Sequence, residues 1–518
     1  MQRKPVLAKF LISTLVASVF ILVNTLSFGT ATASTTVTGI INSDTTWTKA
    51  NSPYDLTGNV LVNTGVTLTI ERGVTVNLNG YYIMVNGTLR VRGDSTEQAL
   101  INYGQIIFNS FSSGWQESTG TGCIIENAVL DNVPISSSVT TLKISGSSIN
   151  GSISVGGSSI VTNSIINGSI EFAASSGSVV SNNDINGEVS VRGGSTVISG
   201  NNIKGGSGDY GIHIEPSVDA QIFGNTISKC FCGIKTVGDA TIERNSISNS
   251  YYGIIIGESV TIAVPWFIYG HNVIRNNTIY NSTEGILSIG NNTIIADNVI
   301  AECKRGFSTT TYSGTGATLE RNSIINNNIG IEILGTTAQY MSNTNSIIVL
   351  NNTISDNVNG LKLSTSPPAP TISYNNFRNN SEYNLRLADT TSSVDATYNW
   401  WGTTNTHEIN QTIYDFKYDF NLGTVNFVPF LTEPNLVAMP NPNAPIPTPI
   451  PTASPSPSST QTPSASSSST PSPSQNPTAT PASPQTGLSG TEIALIIALI
   501  VITSILAITL TLLLKKKR

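Results

Sequence analysis

Asp209, His213 and Glu215 lie within one seven-residue stretch, and Lys235 follows twenty positions after Glu215. Acidic residues able to hold calcium, beside a basic residue able to take a proton, are what a polysaccharide lyase of the pectate type requires. A glycoside hydrolase instead needs two carboxylates about 5 to 10 Å apart. Three polar residues on one strand are also the ordinary dress of a solvated surface. Which description applies depends on the elements that hold these side chains.

Those elements form a repeat. Asn-x-Ile units recur with apolar markers at Val129, Ile149, Ile165, Ile185, Ile203, Ile227, Ile247, Ile279, Ile300, Ile324, Ile354 and Phe377, a period of about 22 residues. From Ile227 to Ile354 a glycine stands six places after each marker, at Gly233, Gly253, Gly285, Gly306, Gly330 and Gly360. This constancy predicts a fixed corner followed by a strand. Beyond it apolar residues alternate, with Ile254 inward, Ile255 outward and Ile256 inward. A second short strand precedes the asparagine and carries Ile222, Ile242, Ile274, Leu319 or Ile372. Such a period leaves no room for crossover helices, and no single repeat closes a core. The coils must stack, one per repeat, as a parallel β-helix. His213, Lys235, Ile255, Leu287, Ser308, Glu332 and Lys362 then share one outward column, which holds no acidic pair at hydrolase spacing.

Two further columns read as scaffold. Asparagine stands two places before the marker at 127, 163, 183, 201, 225, 245, 277, 298, 322, 352 and 375, with Ser147 departing. It tolerates a left-handed corner, and its amides can bond to one another at a repeat of about 4.8 Å. The column three places after the marker reads Cys230, Ser250, Ser282, Cys303, Asn327, Asn357 and Asn380. Cys230 and Cys303 are three coils apart, roughly 14 Å, beyond the reach of a disulfide. Cys230 and Cys232 form a soft pair with no matching ligand on adjacent coils, so both, like Cys303 and Cys123, are expected to be buried thiols.

Composition agrees with a turn-rich β protein: only 11% of the 518 residues are charged. Residues 34–490 keep 18 basic and 30 acidic residues, net −12, which excludes a nucleic-acid-binding stripe. Arg3, Lys4, Lys9, an apolar run and Ala31-Thr32-Ala33 predict a signal peptide over 1–33. Coils and an N-terminal cap are expected over 34–124, repeat coils over 125–398 and a C-terminal cap over 399–433. In the cap, Trp400 and Trp401 cover the last coil, and Asn405 and Glu408 open a short helix. Residues 434–490 are rich in Pro, Ser and Thr and read as an extended stalk; 491–518 read as one transmembrane helix with a basic cytoplasmic tail.

The segments "GNTISKCFCGIKT", "RNSISNSYYGIII", "RNSIINNNIGIEI" and "NNTISDNVNGLKL" resemble the right-handed parallel β-helix repeat. Carbohydrate-binding and sugar-hydrolase β-helices share that repeat with NosD-like copper-accessory proteins. The resemblance implies an all-β, single-stranded right-handed solenoid. "NWWGTTNTHEINQTIYDFKYDF" is similar to the closing segment of the same group. "SPQTG", followed by an apolar span and a basic tail, resembles a cell-wall sorting signal, with Ser483 where leucine is usual.

The resulting expectation is an exported, membrane-anchored surface protein that binds carbohydrate or serves the envelope without catalysis or cofactor. Alternatives are a lyase or hydrolase working through Asp209, His213, Glu215 and Lys235, and NosD-like copper delivery, for which soft ligands are few. Attachment to the wall through SPQTG is the alternative to the permanent anchor. The inserted loop with Trp266, Phe267 and Tyr269 suits stacking on sugar rings. Among the glycosylation sequons, Asn86, Asn276, Asn291, Asn351 and Asn410 are the candidates.

Overall fold

The computed structural model describes residues 34–441 and 443, apart from 138–139, 174–176, 207, 217, 258–270, 290–291, 312–315, 336–346 and 365–369. The expected signal peptide, the expected transmembrane segment and most of the expected stalk lie outside the described residues. Among the described residues no helix is long and apolar enough to cross a membrane.

The described chain is a parallel β-helix built from three stacks of short strands. Asn-x-Ile strands such as Thr226–Ser228, Ser246–Ser248 and Thr278–Tyr280 form a ladder sheet. Glycine-bearing strands such as Cys232–Thr236, Tyr252–Ile256 and Glu284–Ser288 form a glycine sheet. Strands such as Val218–Phe223, Asp239–Glu243 and Asn272–Arg275 belong to a closing sheet of 15 strands among the described residues. Ile227, Ile247, Ile279, Ile300, Ile324, Ile354 and Phe377 pair in register from coil to coil, and all are fully buried. Each fully buried isoleucine contributes about 1.5–3 kcal/mol of transfer free energy.

Asparagine side chains run beside this apolar column. From Asn183 to Asn399, each amide Nδ2 donates to the Oδ1 of the next rung at 2.9–3.1 Å. That Oδ1 also accepts the preceding rung's backbone N–H, as Asn277 does from Asn245 at 2.9 Å. The remaining amide hydrogen goes to a carbonyl one coil back; Asn277 donates to Ile242 O at 2.9 Å. These buried polar groups therefore satisfy one another inside the wall. The second column behaves alike from Cys303 onward, with Asn327 donating to Asn357 and Asn357 to Asn380, both at 3.0 Å.

Three readings of the repeat need correction. In the first and third coils of the series, Leu130 and Ile166 are the buried residues, whereas Val129 is half-exposed and Ile165 is 49% exposed. There Asn127 and Asn163 occupy left-handed corners (φ 48° and 52°), and Ser147 and Ser164 take rung positions. The left-handed residue is thus not the rung but the residue before it, as at Arg244, Asn276, Asp297 and Arg321 (φ 54–60°). The glycines, finally, lie inside strands and turn no corner; the turn is made by residues such as Asn249 and Asn281 (φ 55° and 51°). What requires glycine is close approach. A Cβ on Gly233 would stand 2.6 Å from Ile247 Cγ2 and 2.7 Å from Gly253 O.

The repeat length varies at the connections between strands. Much of the variation falls between glycine-sheet and closing-sheet strands, as between Ile256 and Asn272 and between Gly335 and Ile347. The solenoid's ends are closed by rings. Trp47 stacks on Tyr54 at 4.9 Å, and Trp401, 2% exposed, stacks on Phe377 at 4.9 Å. The cap helix spans Thr406–Gln411; Asn405 accepts from His407 N at 3.0 Å and donates to Glu408 at 3.1 Å. Trp400 stays partly exposed.

The start of the expected stalk does not leave the solenoid directly. Residues 434–441 run back down the ladder sheet as a strap. Asn435 donates to Asn376 Oδ1 at 2.7 Å and to Asn351 Oδ1 at 2.9 Å, and Asn441 N reaches Asp297 at 2.9 Å, three coils back. Ala438, fully buried, accepts from Thr353 Oγ1.

Replacing Asn277 by Ala strands a backbone N–H and the Ile242 carbonyl, each worth about 1–3 kcal/mol when buried. Asn277→Ala is expected to lower the urea midpoint markedly. Asn276→Gly, at the adjacent left-handed position, should leave it nearly unchanged or raise it. Equal midpoints for the two variants would contradict the ladder's role.

Candidate functional site

Strand alternation positions the polar side chains on the glycine sheet. Ile212 and Ile214 are fully buried, so His213 between them points outward, in register with Ser190 and Lys235. Its Nδ1 lies 3.5 Å from Glu188 Oε1 and its Nε2 lies 3.8 Å from Glu215 Oε1. The structure therefore brings together His213, Glu215 and Lys235. Asp209 is exposed and turns into its own loop, where its carboxylate accepts from Gly206 N at 3.1 Å. Glu188, from the preceding coil, takes the place beside the imidazole expected of Asp209.

Aromatic rings surround this group. The Tyr210 ring lies 4.7 Å from His213 and 6.3 Å from Phe231, and Lys235 Nζ sits 5.4 Å over its face. Phe231 stacks on Tyr251 at 5.8 Å, 11° from parallel, and meets Tyr252 edge-on at 5.4 Å. Tyr251 is 49% exposed; the other three rings are half-buried. Three consecutive coils thus present a ridge of four rings. These residues and Glu188 escaped the sequence reading, although a signal existed: an aromatic stands one or two places before the glycine in "DYG", "FCG" and "YYG".

Further along the same sheet the outward column is not wholly exposed. Ser308 and Glu332 are 2% and 3% exposed, so the expectation of a solvated column fails there. Glu284 accepts from Arg305 Nε at 2.6 Å and from Ser308 Oγ at 2.9 Å. Arg305 also donates to Glu332 at 3.3 Å, and Glu332 accepts from Lys362 at 2.8 Å. The hydrogen bond to Glu284 is the largest influence holding the Arg305 guanidinium above its usual pKa. Two acids and two bases close on themselves as one ion-paired network.

All four cysteines are free and buried. Burial pushes the Cys123 and Cys303 thiols up to about 11 and raises Cys230 and Cys232 as well. Among the described residues no three His, Cys, Asp or Glu gather as a metal-holding group. Trp266, Phe267, Tyr269 and Asn291 lie outside the described residues. Of the other glycosylation candidates, Asn410 is exposed on the cap helix, Asn86 and Asn276 are half-buried, and Asn351 is engaged by Asn435.

Residues 233–400 match the family model described as "Right handed beta helix region". No curated protein matches the chain. Solved structures similar to it include the A-module of a mannuronan C-5 epimerase from Azotobacter vinelandii, at 13% identity and a TM-score of 0.32, covering 62% of this chain and 90% of that one. A mannuronic-acid-specific polysaccharide family 6 lyase from human gut microbiota aligns at 12% identity and a TM-score of 0.29, covering 68% and 85%. A mutant of a periplasmic alginate epimerase aligns at 14% identity and a TM-score of 0.26, covering 64% and 76%.

Arg305→Met leaves two buried carboxylates without their shared cation and is expected to cost about 3–5 kcal/mol in a denaturant titration. A loss within ~0.5 kcal/mol would show the network to be solvated. The thiols should resist alkylation at pH 8 in the folded chain, whereas unfolding releases four reactive groups. Since the folded pKa values lie above that of a free thiol, the unfolded chain loses these protons first. Their contribution to stability is full below about pH 8.5 and falls as pH rises towards the folded values.

Proposed function

We propose that this right-handed parallel β-helix protein binds a polysaccharide across its glycine sheet. One observation carries the reading: Tyr210, Phe231, Tyr251 and Tyr252 converge from three consecutive coils beside His213, Lys235, Glu188 and Glu215. Ring faces stack on the apolar faces of sugars, and neighbouring polar groups take up hydroxyls, the combination a carbohydrate site uses. Recognition suits the geometry better than cleavage. Both imidazole nitrogens of His213 face carboxylates, and the carboxylates of the central network are bound to cations, so these groups are already engaged with one another.

A lyase remains the second reading, favoured by the approach of Tyr210, His213 and Lys235 on adjacent coils. It requires release of unsaturated sugar, visible as rising ultraviolet absorbance, and loss of that release in His213→Ala. Export through residues 1–33 and anchoring through 491–518 are part of the proposal. They are tested by protease treatment of intact cells, which should remove the solenoid from an anchored protein.

For the full-length protein, the double variant Phe231→Ala/Tyr251→Ala is expected to weaken retention on an immobilised polysaccharide by roughly tenfold or more, the equivalent of at least ~1.4 kcal/mol. An exposed ring on the ladder sheet, Tyr280, serves as the control. Unchanged retention in the double variant sinks the proposal.

A further inference from the structure

The glycine sheet carries a second aromatic group near its C-terminal end, in the same register as the first. The column holding Tyr210 continues through Cys232, Tyr252, Glu284, Arg305, Ile329 and Asn359 to Tyr383. The column holding His213 and Lys235 continues through Lys362 to Arg386 and Tyr414. At that end the Tyr383 and Tyr414 rings lie 5.1 Å apart, and Tyr414 stacks on Tyr418 at 5.4 Å, 2° from parallel. The Arg386 guanidinium sits 5.0 Å from the Tyr414 ring and 5.9 Å from Tyr383. Tyr418 is 51% exposed, with Lys417 Nζ 5.3 Å from its ring and paired to Asp415, so this group is reachable from solvent.

Resting on the polysaccharide-binding reading above, we infer that Tyr383, Tyr414 and Tyr418 form a second sugar platform, and that one linear, uncharged polysaccharide lying along the solenoid axis engages both. Tyr252 and Tyr383 are five strand spacings apart, or ~24 Å at about 4.8 Å each. A ligand of a few sugars spans one platform; only an extended chain reaches both. The surface between them sets the charge of the ligand. Glu284, Arg305, Glu332 and Lys362 neutralise one another there, and Arg386 is paired with Glu382 at 3.7 Å, leaving these cations no call on a carboxylated sugar. Asn359, 7% exposed, is likewise engaged within the wall, donating its Nδ2 to Glu382 at 2.9 Å.

Two platforms joined by one ligand raise affinity through effective concentration. The test measures binding of the full-length protein to neutral glucan, mannan, xylan and chitin fragments, short enough for one platform or long enough for both, with alginate and pectate as anionic comparisons. The long neutral chains of one polymer should bind at least tenfold more tightly than its short fragments. Tyr418→Ala, and separately Tyr414→Leu, should abolish that gain while leaving short-fragment binding intact. Because Tyr418 is exposed, its variant tests the site without touching the core, and an unchanged melting temperature confirms the fold. Binding that is indifferent to length, or a length gain untouched by both variants, overturns the second platform but leaves the first. Stronger binding of alginate or pectate overturns the neutral-ligand assignment. Failure of the wild-type protein to bind any polymer removes the underlying reading and this inference with it.

Discussion

Everything in this molecule depends on stacking each coil one strand spacing above the last. That spacing lets an asparagine amide meet its own copy in the next coil, donate to it, and receive a backbone N–H in return. An amide in that place leaves no hydrogen-bonding group unanswered inside the wall, where an orphaned one costs about 1–3 kcal/mol. The same spacing brings glycine to glycine so closely that a single added methyl carbon collides with the neighbouring carbonyl. Polar runs that look like a site in one dimension are therefore lattice positions in three. Chemistry is confined to outward positions and to the ends.

Most of the solenoid was legible for this reason. A period near 22, a fixed marker-to-glycine distance and strand alternation are consequences of stacking, so they show in the residues themselves. The errors fall where one residue type serves two purposes. Asparagine is both a rung and a left-handed corner residue, so Asn127 and Asn163 imitated rungs, and the register there slipped by one. A one-residue slip exchanges inside for outside, which is why Val129 and Ile165 were taken for Leu130 and Ile166. The constant glycine distance imitates a turn because close approach between strands leaves no signature in a single chain.

The candidate site was half legible. Alternation placed His213 and Lys235 on one outward column, and Glu215 beside them, but sequence offers no means of seeing which carboxylate from another coil meets the imidazole. Glu188 does so, while Asp209 is spent on its own loop. The aromatic ridge was hidden because its rings sit at two different offsets from the glycine and meet only after the coils stack. The strap over 434–441 gave no sign either: its hold on the ladder sheet comes from Asn435 and Asn441 rather than from an apolar face. These features make the sides of the solenoid unlike one another, with rings and hydrogen-bonding groups on the glycine sheet and a covering segment on the ladder sheet.

Where a ligand sits distinguishes the glycine sheet from the other two faces. Hydrogen–deuterium exchange or carbene footprinting of the full-length protein, saturated with a polysaccharide that retains it, locates the contact directly. Protection is expected over 209–215, 231–236 and 251–256, with the closing sheet unchanged. Protection confined to the ladder or closing sheet, with those three segments unaltered, would contradict the central claim.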